Sequence, residues 1–366
     1  MSGKNSELDR LLKKARDLGA SDLHLITGVP PAYRVHGEII LDDADGLRKE
    51  SIGELALGLM NQEQREKLES DWELCISILH DKVGRVRVTF YRQNGFPQIS
   101  MRFCGDSIPD RESLGLPARV DDLVAKRNGL VLITGPTGAG KTTTLNYMVD
   151  AINKSRRCKI VTIEDPIEFV HRNNRAIIVQ QEVLTDVRTF NRALVHVLRQ
   201  DPDVIVVGEM RDHETISTAL AAAETGHLVL ATLHSPNVAH ALERIVGVFE
   251  GNAQRQIIQQ LANALQGIIA QELLPSTDRS KRVLAYEFLV ATPAVRNVIR
   301  EQQLHQLHNV MQLGTRDGMV LMDDCIHDLY CNCMISYDTA VSRAYDPQRI
   351  IDTPLAGRTE SLSKRK

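Results

Sequence analysis

The sequence predicts an α/β protein with a small α+β domain, a larger domain built on a mainly parallel sheet, and a helical C-terminal part. Strand-length apolar runs alternate with amphipathic helices from residue 129 to about 290, which is typical of a sheet covered by helices on both faces. Shorter strands joined by tight turns precede residue 105. The chain has 366 residues, of which 43% are hydrophobic. This composition supports about two to three domains and excludes a mainly disordered chain.

Residues 1–105 are expected to form the small N-terminal domain. Leucine and alanine recur at helical spacing over 11–18, and strands follow over 21–25 and over 33–40, the second with a turn at His36-Gly37. A hairpin with its turn at Asn94-Gly95 comes later in this domain. Its strands alternate apolar with polar residues, so one face should be buried and the other should carry arginines.

The remaining boundaries follow from composition. Residues 106–118 contain two prolines, one glycine and little periodicity, which predicts a linker. A core domain is expected over 119–290, a helical region over 291–350, and a disordered tail over 351–366. The strands predicted for the core domain are Leu130–Thr134, Lys159–Ile163, Val204–Val207, Leu228–Leu233 and Val283–Phe288.

The strongest chemical signal is a phosphate loop that fits GxxxxGK[ST] in full. It consists of Gly135, Pro136, Thr137, Gly138, Ala139, Gly140, Lys141 and Thr142, with Thr143 next in the expected ATP-binding segment. Glycines let several backbone N–H groups point at phosphate oxygens, and the following helix contributes its positive N-terminus. Lys141 should neutralise phosphate charge, and the Thr142 hydroxyl should bind Mg²⁺. An ordinary glycine-rich turn is disfavoured by the flanking strand and helix.

Polar residues follow three of the predicted strands. Glu209 ends the run that begins at Val204 and is the expected catalytic base, although Gly208 stands where an aspartate often precedes such a residue. The acidic cluster over 163–168, which includes Glu164, is expected to help hold the metal or its waters. His234 ends another strand and is expected to sense the terminal phosphate, the alternative being a structural histidine.

Several blocks occur in the order of one known family. They are Ala20 to His24, the phosphate loop, Thr162 to Glu168, Asp203 to Asp212, and Gly226 to His234. The chain thereby resembles the type II/IV secretion ATPase superfamily from Ala20 to about Ala344. The segment Ala294 to Glu301, AVRNVIRE, is similar to a motif of the PilT-like retraction motors of type IV pili. Extension and type II secretion relatives commonly carry a tetracysteine zinc insertion, whereas the six cysteines here include no CxxC pair.

The resemblance implies a PAS-like N-terminal domain, a RecA-like ATPase domain, and a ring-shaped homo-hexamer with nucleotide where the two domains meet. It implies that Glu209 is the general base, that Glu164 acts at the metal or water, and that His234 contacts the phosphates. It also implies arginine contacts to the nucleotide from the hairpin of the N-terminal domain. The candidates for these contacts are Arg85, Arg87, Arg92 and Arg102, and solvation of an exposed sheet face is the alternative for them.

The expected function is therefore an ATP- and Mg²⁺-dependent hexameric motor that powers pilus retraction through domain closure. Its expected partner is a platform protein of the inner membrane, and its expected location is the cytoplasmic face of that membrane, without insertion. An accessory paralogue that depends on another retraction ATPase remains an alternative. So does a nucleic-acid translocase, although a net charge of -3 and 4% aromatic residues disfavour nucleic-acid binding.

Overall fold

A computed structural model describes residues 4–35, 37–81, 83–104 and 108–351. The chain forms two compact units, and the first joins the N-terminal segment that ends at Ile108 to Ile163–Arg172 and Gln180–Arg192. The second contains Pro109–Thr162, Asn173–Val179 and the chain from Ala193 on. Two segments within the range predicted for the core domain therefore belong to the first compact unit.

The secondary structure confirms the α/β class. The domain boundaries drawn from composition, including the linker over 106–118, stay predictions. Most of the tail predicted to be disordered, residues 352–366, lies outside the described residues.

The N-terminal part of the chain is built on a six-stranded antiparallel sheet with strand order β3-β2-β1-β6-β5-β4. Its elements are α1 Lys4–Asp17, β1 Asp22–Leu25, β2 Ala32–Val35, β3 Glu38–Leu41, α2 Lys49–Leu59, α3 Gln62–Asp71, β4 Leu74–His80, β5 Gly84–Gln93 and β6 Phe96–Phe103. The predicted hairpin is confirmed as β5 and β6. Asn94 and Gly95 form its turn with φ of 51° and 81°, the left-handed backbone that such two-residue turns require.

The alternation along β5 separates two environments. Val86, Val88 and Phe90 are buried in one core with Leu11 and Leu12 of α1. Arg85 and Arg87 alternate with these residues and lie on the opposite face of the sheet, whereas Arg92 has the strand parity of Phe90. The sequence prediction of one apolar and one arginine-bearing face is therefore confirmed for residues 85–90 of this strand.

The rest of the chain is built on a seven-stranded sheet with strand order β13-β12-β7-β11-β10-β8-β9. Its elements are α4 Arg119–Val124, β7 Gly129–Thr134, α5 Lys141–Ser155, β8 Lys159–Glu164, β9 Ile177–Glu182, α6 Phe190–Val197, β10 Val204–Val207, α7 His213–Glu224, β11 Leu228–Leu233, α8 Val238–Gly247, α9 Gly251–Ala264, β12 Leu265–Pro275, β13 Arg282–Val290, α10 Pro293–Arg300, α11 Leu307–Leu313, α12 Met322–Cys331, α13 Tyr337–Arg343 and α14 Gln348–Ile351, with 3₁₀ turns at Leu304–Gln306 and Gly314–Asp317. All five strands predicted for the core domain are present, with ends shifted by two residues or fewer.

The centre of this sheet is parallel and buried on both faces. Strands β7, β10 and β11 contain only buried residues, which explains their uninterrupted apolar runs. Strand β12 pairs parallel with β7, and β13 pairs antiparallel with β12. The sequence patterns do not predict β12, because α9 ends at Ala264 and the strand begins at the next residue, with no turn between them. Within the described residues, no helix is both long enough and apolar enough to cross a membrane.

Candidate functional site

The phosphate loop lies between the end of β7 at Thr134 and the start of α5 at Lys141. Three glycines have a positive φ, which is 146° at Gly135, 79° at Gly138 and 85° at Gly140. L-residues with a side chain rarely adopt such backbone, so glycine at these positions allows the loop to curl back over the helix N-terminus. The strand and the helix that the sequence predicted on either side of the loop are both present.

Lys141 turns its side chain into the loop. Its Nζ donates to the carbonyl oxygens of Gly135 and Pro136, both at 2.9 Å, and the residue is buried. Burial lowers the pKa of Lys141, and the nearby carboxylate of Glu209 partly opposes that change. The loop therefore contains a cation that has lost much of its hydration, which favours interaction with an anion such as a phosphate.

Glu209 lies just beyond β10 and has two basic neighbours. Its Oε1 lies 3.3 Å from Nε2 of His234, and its Oε2 lies 2.7 Å from a guanidinium nitrogen of Arg211. Burial alone would raise the pKa of Glu209, but the hydrogen bond and charge of Arg211, with smaller contributions from His234 and Lys141, lower it below its ordinary value. Glu209 is therefore ionised at neutral pH and can accept a proton.

His234 joins Glu209 to the loop lysine. Its Nδ1 lies 3.4 Å from Nζ of Lys141, while its Nε2 faces the Glu209 carboxylate. Burial and the charge of Lys141 lower the pKa of His234, so the imidazole is neutral at pH 7. Because the lysine ammonium can only donate, Nδ1 is the acceptor in that contact and Nε2 carries the proton that faces Glu209. The three side chains form one polar chain, Lys141–His234–Glu209.

The sheet brings these residues together. Strand β11 lies between β7 and β10 and is parallel to both, so all three strands end at the same edge. The hydroxyl of Thr134 donates to the carbonyl of Ser235 at 2.7 Å and accepts from its N–H at 3.0 Å. The Thr232 hydroxyl donates to the Gly208 carbonyl. Buried hydrogen bonds thus fix the segments that carry Lys141, His234 and Glu209 to one another.

Four residues near this site were not assigned roles from the sequence. Arg211 pairs with Glu209, and Arg244 donates to the backbone carbonyl of His234 at 2.5 Å. Gln271 donates to Ala139 and Arg282 donates to Gly138, at 2.8 and 3.3 Å. Only Arg211 stands inside one of the sequence blocks, so local patterning gave no signal for the other three.

The side chains at this site could hold a magnesium ion only together with a nucleotide. Mg²⁺ bound with nucleotide takes phosphate oxygens and water together with one or two protein oxygens. Among the described residues no group of three or more His, Cys, Asp or Glu could hold a metal without such help. Thr142 stands in the first turn of α5, where its hydroxyl suits such a bound ion. Its assignment as a metal ligand remains a prediction.

Glu164 is the last residue of β8 and is buried. Its carboxylate accepts a hydrogen bond of 3.0 Å from the side-chain amide of Gln180, which also donates to the carbonyl of Phe169 at 2.8 Å. Both of these bonds lie within the first compact unit. The predicted role of Glu164 at the metal or the attacking water stays a prediction.

Two of the candidate arginines contact acidic residues of the first compact unit. Arg85 pairs with the buried carboxylate of Glu182 at 2.6 Å and donates to the carbonyl of Ile167 at 2.9 Å. Arg87 lies 3.4 Å from Glu168 and donates to the thiol sulfur of Cys75 at 3.1 Å. Arg85 is thus held by several buried partners, which favours a structural role.

The other two candidate arginines are closer to solvent. Arg92 stacks on the ring of Trp72, with its guanidinium carbon 5.6 Å from the ring centroid. Arg102 donates to Asp22 at 2.8 Å while 68% of its side chain remains exposed. The structure therefore gives each of the four arginines a partner in its own unit, and their contact with a nucleotide stays a prediction.

Comparison with known proteins places the chain in a family. Residues 112–320 match the family described as Type II/IV secretion system protein. The chain belongs to this family. It is 39% identical to the type IV pilus retraction ATPase PilT of Pseudomonas aeruginosa, over 93% of this chain and 99% of that protein. It is also 38% identical to the type IV pilus ATPase PilU of the same organism, over 92% of this chain and 88% of that protein.

Solved structures give the same result. A crystal structure of the pilus retraction motor PilT with bound ADP superposes with a TM-score of 0.85 and 42% identity, covering 92% of this chain and 97% of that one. The ATPase DotB of Legionella pneumophila superposes with a TM-score of 0.82 and 29% identity, covering 92% of this chain and 94% of that one. The predicted resemblance to the secretion ATPases is therefore confirmed over nearly the whole chain.

Proposed function

We propose that this protein is an ATPase that powers the retraction of a type IV pilus. The observation that carries the proposal is the polar chain Lys141–His234–Glu209, which joins a phosphate loop to an ionised carboxylate. The similarity to PilT and to its ADP-bound structure supports ATP as the nucleotide and retraction as the output.

Nucleotide binding uses the backbone and Lys141. The N–H groups of the loop and of the start of α5 donate to the β- and γ-phosphates, and the Lys141 ammonium leaves its two backbone carbonyls for phosphate oxygens. Thr142 would hold Mg²⁺, with Glu164 at the metal or its waters, and the ion would neutralise phosphate charge. This binding orients the terminal phosphate before any bond breaks.

Hydrolysis uses Glu209 and His234. Glu209 accepts a proton from the attacking water, since its pKa lies below the ordinary value and it is ionised at neutral pH. The neutral imidazole of His234 donates from Nε2 and thereby keeps the carboxylate oriented. Lys141 remains on the phosphates as negative charge moves toward the leaving oxygen.

The mechanical output is proposed from the relatives. We infer that six copies form a ring, that arginines of the N-terminal hairpin contribute to the nucleotide site, and that the ring acts on an inner-membrane platform protein at the cytoplasmic face of that membrane. The near-complete coverage of the PilT retraction motor supports giving this chain the same mechanical output. The energy of hydrolysis would then remove pilins from the filament.

The test replaces Glu209 by Gln, which keeps the shape of the side chain but removes the base. We expect steady-state ATP hydrolysis to fall at least about 100-fold while ATP still binds. Glu243→Gln is the matched control, because Glu243 is an exposed residue of α8 and should leave the rate unchanged. Undiminished hydrolysis by the Glu209 variant would reject Glu209 as the base.

A second candidate, an ATPase that works beside a paralogous retraction motor, is favoured by the nearly equal identities to PilT and PilU. Twitching motility separates the two functions. Loss of twitching after deletion of this gene, restored by the wild-type gene but not by its Glu209→Gln variant, supports the primary motor. Twitching that persists while a related ATPase is present, and stops when both are deleted, supports the accessory function.

A further inference from the structure

Strand β12 supplies a residue that touches both ends of the phosphate loop. Ala270 of β12 pairs with Thr134, the last residue of β7, so Gln271 stands beside the first residue of the loop. Gln271 is buried to 1% exposure, although glutamine is mostly found at protein surfaces. A polar side chain buried this deeply normally serves a particular hydrogen bond.

At the start of the loop the contact is made by the backbone of Gln271. A Cβ placed on Gly135 would lie 2.2 Å from the Gln271 carbonyl oxygen, well inside van der Waals contact. Gly135 also has a φ of 146°, so both the space and the conformation require glycine there. Strand β12 thus packs directly against the loop backbone.

At the end of the loop the contact is made by the side chain. Nε2 of Gln271 donates to the carbonyl of Ala139 at 2.8 Å in a buried setting. This is the one hydrogen bond of the Gln271 side chain among the residues that the structure describes, and its Oε1 is buried without a partner there. Only the amide nitrogen can donate to a carbonyl oxygen, so this bond fixes the orientation of the amide.

We propose that Gln271 is a positioning residue that holds the phosphate loop in the shape that binds a nucleotide. The loop binds phosphate through N–H groups whose directions depend on the peptide planes between Gly135 and Lys141. Fixing the carbonyl of Ala139 fixes the plane that contains the N–H of Gly140, next to the helix N-terminus. This inference rests on the proposed function, because it concerns how the same loop takes up its nucleotide.

The first test replaces Gln271 by Met, which keeps a similar volume and removes the donor. We expect the Kd for Mg·ADP and the KM for Mg·ATP to rise about ten-fold, the effect of losing one buried hydrogen bond. The kcat should change less than about two-fold, because Glu209 and His234 keep their own contacts. The matched control is Ile269→Val, a core change on the same strand that should leave both constants unchanged.

The second test uses Gln271→Glu and keeps the inference testable if the Met variant does not fold. An ionised carboxylate cannot donate to Ala139 and repels phosphate, whereas the protonated acid can donate. The Kd of this variant for Mg·ADP, divided by the wild-type Kd at the same pH, should therefore fall as pH decreases. A ratio that stays constant or rises would overturn the inference.

Binding of Mg·ADP by the wild type distinguishes failure of the proposed function from failure of the positioning role. If the wild type does not bind Mg·ADP, the proposed function fails. If the wild type binds but Gln271→Met has the same Kd and KM, or if Ile269→Val weakens binding equally, only the positioning role of Gln271 fails.

Discussion

Among single residues, the charges around His234 determine the protonation state of the site. Its imidazole lies between the ammonium of Lys141 and the carboxylate of Glu209, at 3.4 and 3.3 Å. Burial and the lysine charge lower the pKa of His234 more than Glu209 raises it. The His234 imidazole is therefore a neutral ring between one cation and one anion at pH 7, and it can accept from Lys141 while donating to Glu209.

This arrangement predicts how stability depends on pH. The unfolded chain binds more protons at His234 than the folded chain does, so the free energy of unfolding should decrease as pH falls through the unfolded pKa of 6.5. In His234→Gln this contribution is absent, so the difference in stability between about pH 8 and about pH 5.5 should shrink. Urea unfolding at both pH values measures it, and an unchanged difference would contradict the assigned charge state of His234.

Some residues of the candidate site can be predicted from the sequence, and others cannot. The loop motif, Glu209 and His234 could be predicted because local sequence places them directly after buried strands, and parallel strands end at one edge. Gln271 could not, because its partner Ala139 is 132 positions away and only the pairing of β12 with β7 brings them together. The partners of Arg85 could not be predicted either, because Glu182 ends β9, a strand that the sequence patterns do not predict.

At the scale of secondary structure, the segment AVRNVIRE acts on a neighbouring helix end. Arg296 of α10 donates to the carbonyls of Ala262 and Asn263, both at 2.5 Å, and of Leu265 at 2.7 Å. These carbonyls lie where α9 ends and β12 begins, and the last carbonyls of a helix have no partner within it. The guanidinium of Arg296 thus stabilises the junction between α9 and β12, which the sequence patterns do not predict.

Replacing Arg296 by Met should therefore lower the free energy of unfolding by about 1–3 kcal/mol, because the partly buried carbonyls of Ala262 and Leu265 lose a charged donor. Arg300→Met is the matched control on the same helix. Arg300 is exposed and, in the part of the chain that the structure describes, donates only to the side chain of Asn263, at 3.1 Å, so its loss should cost less than about 0.5 kcal/mol. Equal losses from both variants in chemical denaturation would show that Arg296 is not a cap.

At the scale of the whole molecule, the first compact unit is assembled from segments that are distant in the chain. Glu182 joins them, because its carboxylate accepts from the guanidinium of Arg85 on β5 and from the N–H of Ile167, at 2.6 and 3.0 Å. It also accepts from the hydroxyl and N–H of Ser77 on β4. Its side chain is 1% exposed. The buried carboxylate of Glu182 thus holds the segments Ile163–Arg172 and Gln180–Arg192 to strands β4 and β5 of the same unit.

Glu182→Leu should accordingly destabilise the protein by about 3–5 kcal/mol, because the largely buried guanidinium of Arg85 loses its acidic partner. Combining it with Arg85→Met removes that charge and should recover much of the loss. Thermal or chemical unfolding of the two single variants and the double variant measures the coupling. If the single losses simply add, Arg85 and Glu182 are not coupled, and Arg85 is free for a role toward the nucleotide.

In the proposed ATPase the phosphate loop binds ATP and the carboxylate of Glu209 is needed only for its hydrolysis. Equilibrium binding of Mg·ATP to Glu209→Gln and to Lys141→Ala separates these two roles. The Glu209 variant should hold unhydrolysed ATP, whereas the Lys141 variant should bind at least about ten-fold more weakly. Equal affinity of the two variants, or no binding by either, would show that the two roles are not divided in this way.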